Sequence, residues 1–424
     1  MLGRPVAAFS PCNGRPARTS RVISSREGTV GGMVQPRVLV VVLAGGEGGR
    51  LEALTDRRAK PAVPYAGRYR LVDVVLSNVL HSGLSDVWLL EQTHPFSLQE
   101  HLANGRPWDL DRTAGGMLFL HPRKGGDDPK DGWHTGTADA LWRQTALIRD
   151  FAPDALVVLS ADAVYALDYE VVVQEHLASG ASVTMVTTRV EPDDADRYGV
   201  VLVEDGRVVD YEYKPDEPKS DLIANEVLVF DPGVLVDLLD ELGSETDDLG
   251  DLGDEVLPQL VTQGDAREHR FDGYWRDLGT VEAYWSAHQD LLVDEPAYDP
   301  SDPAWPLHTR AGTHGPALVR RGAVVEDSLL SPGSTVAGTV RRSVLSPGVV
   351  VEAGAEVVES VLLEDVVVRA GARVVRAVVD RGSEVAAGVT VGGPGGEVAL
   401  VGQDQVVSSD LPPGARLPES DPDA

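Results

Sequence analysis

The sequence predicts an α/β body, with a mostly parallel sheet and helices on both faces, followed by a left-handed parallel β-helix of hexapeptide repeats. Three observations predict it. From residue 38 to about residue 292, short Val/Leu-rich runs alternate with segments of helical periodicity, the order expected of strand–helix–strand units. The first run, 38–43, breaks into a loop with glycines at 45, 46, 48 and 49. Beyond residue 350, Val351-x-x-Gly354-x-x-Val357, Val368-x-x-Gly371-x-x-Val374 and Val385-x-x-Gly388-x-x-Val391 recur at intervals of 17.

In chain order, residues 1–36 are rich in Arg, Ser, Gly and Pro without periodicity and read as a disordered extension. Met33 offers a second start site, and Cys12 is the sole cysteine, so no disulfide framework or cysteine metal site is expected. Residues 37–294 form the α/β body. Strands are expected at 38–43, 86–90, 155–159, 182–188, 199–203 and 227–230, and helices at 72–81, 137–151, 170–179, 233–242 and 281–290. In such sheets the ligand crevice lies at the carboxyl ends of the strands. Residues 295–316, dense in Pro, Asp and Gly, read as a linker. In residues 317–403 the aliphatics sit six apart around a glycine. About 18 residues, in three flat faces, then complete each turn of the β-helix. Residues 404–424, acidic and Pro-rich, read as a flexible tail.

Composition excludes several function classes. With 37 Lys and Arg against 67 Asp and Glu, the net charge is −30, which disfavours nucleic acid and anionic membranes as partners. No apolar run approaches the roughly 20 residues that span a bilayer. No apolar core of a signal peptide opens the chain, so a cytoplasmic location is expected. Only five of the cations are lysines (60, 124, 130, 214 and 219), which makes Lys60 and Lys214, each before a proline, informative.

The segment RVLVVVLAGGEGGRLEALTDRRAKPAVP, 37–64, carries the first chemistry. A strand that turns through glycines into a helix presents bare N–H groups able to hold phosphates. Arg50 and Lys60 add fixed cations suited to a polyphosphate. The loop lacks the Gly-Lys-Ser/Thr of a P-loop and the spacing of a dinucleotide fingerprint. The whole string resembles the sugar-nucleotide pyrophosphorylases. Its RAKPAVP ending resembles the bacterial glucose-1-phosphate adenylyltransferase (ADP-glucose pyrophosphorylase) family, and further motifs extend that resemblance over roughly residues 37–400.

The resemblance implies a Rossmann-like nucleotidyltransferase domain with ATP and a sugar 1-phosphate as substrates. It implies that Asp162, in Leu159-Ser160-Ala161-Asp162, and Asp277, in Trp275-Arg276-Asp277-Leu278-Gly279, hold Mg²⁺, a cation usually bound by one or two carboxylates plus phosphate oxygens. Arg50, Lys60, Asp162 and Asp277 are the implied catalytic residues. Leu43, Ala44, Gly45, Gly46, Gly48, Gly49, Gln92, Gly136 and Thr137 would contact the nucleotide. Asp139, Tyr213, Lys214 and Glu226 would contact the sugar phosphate. Arg57 and Arg70 match effector positions, and the family is usually an allosteric homotetramer.

Departures gather on the sugar side. Tyr213 replaces a glutamate, Ala224-Asn225-Glu226 replaces Ser-Met-Gly, and His134 and Thr135 replace Tyr and Arg. Thr93, Ala163, Gly49 and Pro64 also depart from the family pattern. Three functions follow from this reading: adenylyl transfer to glucose 1-phosphate, the same chemistry with another sugar or nucleotide, or a non-catalytic regulatory family member.

Overall fold

The computed structural model describes residues 35–45, 48–122, 132–246 and 248–418. The expected disordered extension therefore lies outside the described residues apart from Gln35 and Pro36. Residues from Pro36 onward pack as one compact unit.

The body contains β1 (Val38–Leu43), a small hairpin β2 (Pro64–Tyr65) and β3 (Tyr69–Arg70), β4 (Asp86–Leu90), β5 (Gly116–Leu120), β6 (Ala155–Ser160) and β7 (Ala163–Tyr165). These are followed by β8 (Val183–Arg189), β9 (Gly199–Glu204), β10 (Arg207–Tyr213), β11 (Leu222–Phe230), β12 (Ala266–Arg270) and β13 (Trp275–Asp277). Nine of them form one sheet in the order β5-β4-β1-β6-β11-β8-β12-β10-β9. The pairings make β4, β5, β6, β8, β9 and β12 run with β1, and β10 and β11 run against it. The sheet is thus parallel around β1 and mixed beyond β6. The apolar run of β1 is buried along Val38–Val42, as a central strand covered on both faces must be.

Helices cover both faces. On one side lie α1 (Leu71–His81), α2 (Pro95–Leu102) and α5 (Tyr169–Ser179). On the other lie α3 (Thr137–Trp142), α4 (Thr145–Phe151), α6 (Pro232–Gly243), α7 (Leu252–Glu255) and α8 (Leu257–Thr262). The single helix expected at 137–151 is two helices, because Gln144 leaves the helical region (φ −106, ψ 2). The segment after the glycine loop also differs from expectation. Residues Gly49–Leu54 form 3₁₀ turns, entered through Gly48 at φ 69 and broken at Glu52, φ 52. Leu51 and Leu54 do not return to the sheet. They pack against the second half of the molecule.

That second half holds 17 short strands in three parallel sheets of six, five and six, a three-sided parallel β-helix. The valines of the 17-residue repeat are fully buried inside it, and Gly354, Gly371 and Gly388 turn its corners at φ 77, 71 and 75, a region that glycine enters without steric cost. The pairing Ala377↔Ala399 spans 22 residues, so one turn carries an insertion. The free tail expected from residue 404 is corrected: Val406–Val407 and Arg416–Leu417 are strands of the last turns, because their aliphatics continue the interior column. The linker is strapped to α1, with Trp305 Nε1 donating to Asn78 Oδ1 at 2.8 Å.

The hairpin after Lys60 is anchored by α9 (Val281–Gln289). His288 is fully buried; its Nε2 accepts from the Ala66 N–H (3.2 Å) and its Nδ1 donates to the Tyr284 carbonyl (2.8 Å). Burial lowers its pKa to about 4. Because the folded value lies below the unfolded one, stability held at neutral pH is lost as pH falls from about 6.5 towards 4, by up to about 3 kcal/mol. The urea midpoint is therefore expected to fall between pH 7 and pH 5, and His288→Gln to flatten that fall.

Candidate functional site

The carboxyl ends of β1, β4 and β6 open into a cleft of about 720 Å³. Leu43, Ala44, Gly45, Gly48, Gly49 and Arg50 line it from the loop after β1. Gly46 lies outside the described residues. Gly48 combines positive φ with close approach, since a Cβ there would press on Thr55 and Lys60.

Lys60 is the centre of the charged floor. Its Nζ lies 2.8 Å from Asp162 Oδ2 and 3.7 Å from Asp277 Oδ1. The two carboxylates reach it from different elements. Asp162 follows β6, and Asp277 ends β13, which pairs with β7 and puts Asp277 opposite Ala163. Ser160 Oγ donates to Asp162 Oδ1 at 2.6 Å. Burial pushes the Asp162 carboxyl up, but the Lys60 ammonium and the Ser160 hydroxyl outweigh it and hold the group below the usual range. Asp277 is pushed up, by burial first and the Asp162 charge second. Burial lowers Lys60, and the two carboxylates more than reverse this. Arg197 Nη2 lies 3.3 Å from Asp277 Oδ2.

On the opposite wall β11 bulges between Ala224 and Leu228, and Glu226 sits in the bulge at φ 64. The pairing of Val227 with Leu159 brings Glu226 beside the end of β6. Its side chain is open to the cleft. Enclosure by protein, then the Asp162 charge, raise its pKa to about 7. Tyr213 donates its hydroxyl to Asp251 Oδ2 (2.9 Å) and accepts from Lys214 Nζ (2.7 Å). Asp251 Oδ1 accepts from the Thr137 N–H at 3.0 Å, tying Tyr213 to the Gly136–Thr137 turn. A Cβ on Gly136 would collide with the Gly250 carbonyl oxygen.

This floor can neutralise a polyphosphate and hold a hard cation. Two carboxylates flanking one ammonium make a donor set suited to Mg²⁺, which retains waters and phosphate oxygens in the rest of its shell. Among the described residues no three or more acidic, His or Cys side chains gather as a metal cage.

A family model described as nucleotidyl transferase matches residues 39–293, and a second, described as GlmU-like C-terminal hexapeptide, matches 316–396. A glucose-1-phosphate adenylyltransferase of Thermomicrobium roseum is 44% identical over 301 residues, 70% of each chain. Enzymes of the same name from Thermotoga neapolitana (38%, 76% of each chain) and Fusobacterium nucleatum (34%, 77% of this chain and 85% of that one) are also similar. The chain belongs to the glucose-1-phosphate adenylyltransferase family.

Within that family framework, one implied site residue, Asp139, lies off the cleft, and others are already engaged by protein groups. Asp139 is fully buried and bound to Arg143 Nε (2.7 Å) and the Thr135 N–H (3.0 Å). It organises the turn and does not line the cleft. Gln92 lines the cleft, but both ends of its amide bind the backbone of His134, at 3.1 and 2.6 Å. Arg57 and Arg70 face the β-helix and pair with Asp404 (2.9 Å) and Glu364 (2.7 Å). Three contributors were not singled out from sequence: Ser160, Arg197 and Asp251. Ser160 stands inside a quoted motif, two residues before Asp162. Arg197 is one of 32 arginines, and Asp251 one of many acids, with no local signal.

Proposed function

We propose that this chain transfers the adenylyl group of ATP to α-D-glucose 1-phosphate, giving ADP-glucose and pyrophosphate, a donor for glycogen or related α-glucans. The carrying observation is the Asp162–Lys60–Asp277 cluster, which stands between the glycine loop and the Tyr213–Lys214 wall. An oxygen of the sugar phosphate attacks the α-phosphorus of ATP. The bond from that phosphorus to the bridging oxygen breaks, and pyrophosphate leaves with both electrons. No protein nucleophile is required.

Arg50 and Lys60 neutralise the β- and γ-phosphates. Backbone N–H groups at Gly45, Gly48 and Gly49, which line the cleft, cradle them. Lys214 acts as a point charge on the sugar phosphate, held beside Tyr213. Asp162 and Asp277 would hold Mg²⁺, which when bound offsets charge on the phosphate oxygens. Lys214→Ala is expected to raise the KM for sugar phosphate roughly tenfold while changing kcat little; an unchanged KM removes it from this role.

The altered sugar wall favours a second reading, in which another sugar 1-phosphate or nucleoside triphosphate is used. Losing a polar partner for a sugar hydroxyl changes discrimination strongly. Each nucleoside triphosphate is therefore assayed against a panel of sugar 1-phosphates with Mg²⁺ and inorganic pyrophosphatase, reading phosphate release. A maximum with ATP and glucose 1-phosphate is expected. A maximum elsewhere supports the second reading, and silence supports a regulatory family member. A cytoplasmic homotetramer under effector control extends the same family reading. An anionic effector at Arg57 and Arg70 would have to displace Asp404 and Glu364.

A further inference from the structure

The segment that carries Arg50 and Lys60 is shared between the catalytic body, where Ala62 packs in the core of β1 and α1, and the β-helix. Leu51, Leu54, Val63 and Tyr65 share an apolar core with Val344, Val361, Val378 and Leu400 of the β-helix. At the edge of that core is a buried ion pair, with Arg58 Nη2 2.8 Å from Asp380 Oδ1. Asp380 is fully buried, and Arg58 is 6% exposed.

Within the β-helix the Asp380 carboxylate caps its own turn, accepting from the Arg381 N–H at 2.6 Å, a contact that a neutral acceptor could make equally well. Strand pairing aligns Leu330, Leu345, Leu362, Val379 and Val401 in one column, so the next column holds Ser331, Ser346, Leu363, Asp380 and Gly402. Small or apolar residues fill every place in it except 380. The pair is also incompletely satisfied, because Arg58 Nη1 and Asp380 Oδ2 are buried without a hydrogen-bond partner. A buried ion pair of that kind contributes little to stability compared with an apolar pair of similar volume, and its best-attested use is to fix register. The neighbouring pair Arg57–Asp404 is more than half exposed and adds little of either.

What it would register is Lys60. Lys60 lies two positions after Arg58, at most about 7 Å of chain. The intervening Ala59 N–H is itself held by Ser97 Oγ at 3.1 Å. We propose that Asp380 is a positioning residue for the reaction: through Arg58 it holds the Lys60 ammonium in register with Asp162 and Asp277. The β-helix thereby sets the geometry of the triphosphate side of the cleft. On the sugar side Tyr213 and Lys214 are held by Asp251 and not by this clamp, whereas Glu226 of β11 stays in electrostatic reach of Lys60. This inference rests on the adenylyl-transfer reading above.

The test compares the wild-type chain with Arg58→Met/Asp380→Leu, which puts the Leu found at 363 into the same column, and with Asp380→Asn, which retains one hydrogen bond. Melting temperature, kcat and both KM values are measured. The apolar pair is expected to melt within about 3 °C of wild type and to lose kcat on the order of tenfold, the cost of a displaced reacting group. Its KM for sugar phosphate stays unchanged, and cooling the assay to 15 °C does not restore kcat. The Asn variant is expected to show a smaller loss of the same kind, about threefold. Wild-type kcat in the apolar pair overturns the proposal, as does a loss that cooling restores, which marks simple unfolding. Should the double variant fail to fold, wild-type kcat in Asp380→Asn overturns it. A wild-type chain silent in the substrate panel defeats the adenylyl-transfer reading instead, so the two failures are distinct.

Discussion

Asp162→Asn is expected to lower kcat by about a thousandfold while leaving the fold intact. The amide keeps the shape of the carboxyl: with its oxygen towards the Lys60 ammonium, which lies 2.8 Å from Oδ2, its NH2 faces the Ser160 hydroxyl, 2.6 Å from Oδ1, which can turn to accept. The charge is lost and one hydrogen bond is reversed. That charge is secure in the wild type, because Lys60 and Ser160 outweigh burial and hold the carboxyl below its ordinary range. A metal coordinated by this oxygen would be weakened with it. The check is an initial-rate titration with Mg²⁺ at saturating ATP and sugar phosphate. A normal kcat with a normal Mg²⁺ dependence would remove Asp162 from the metal site. A loss of kcat accompanied by a higher Mg²⁺ requirement places it there.

Lys60→Met is expected to cost on the order of a hundredfold to a thousandfold in kcat/KM for ATP. Its second effect is on the free enzyme. Lys60 stands between Asp162 and Asp277, and its side chain is 11% exposed. Removing the ammonium leaves two enclosed carboxylates facing each other, with Arg197 and Arg50 as cations still acting on Asp277. Like charges in such a place are strongly unfavourable. The melting temperature of the variant is thus expected to fall in EDTA and to rise with added Mg²⁺ by more than that of the wild type. Equal Mg²⁺ responses would show that the carboxylates do not share a cation, and unchanged kcat/KM would show that Lys60 does not meet the triphosphate.

Much of the site was readable because its parts are local. The strand at 38–43, its glycine turn, Arg50 and Lys60 lie within one short stretch of sequence, and each nucleotide or phosphate residue singled out there that the structure describes lines the cleft. Asp162 was readable because Leu159-Ser160-Ala161-Asp162 resembles the family's motif; the apolar run before it only put it at the end of a strand. Asp139 was misplaced for a complementary reason. The same Gly-Thr-Ala-Asp-Ala pattern serves a cleft residue and a buried one alike, and only the position of Arg143 one helical turn later, salt-bridged at 2.7 Å, decides between them. The acidic composition of residues 404–418 suggested a free tail, yet Val406–Val407 and Arg416–Leu417 alternate in and out of a β-helix face that composition does not register.

By itself the sequence determined the elements whose signal is short-range: the α/β alternation, the glycine loop, and a β-helix announced by valines and glycines repeating at 17. Each follows from periodicities of a few residues in which side-chain direction is tied to backbone geometry. The tertiary structure alone decided that Asp277 meets Asp162 across Lys60, that Asp251 holds Tyr213, and that Arg58 meets Asp380 across 322 residues of sequence. Those contacts pair single charges drawn from 37 cations and 67 anions, with no local pattern to mark which partner each will find. The first two are set by strand pairing and loop packing inside the α/β body, such as β13 with β7, and the last by how two separately patterned halves bury their apolar faces against each other and match a charge carried into that interface.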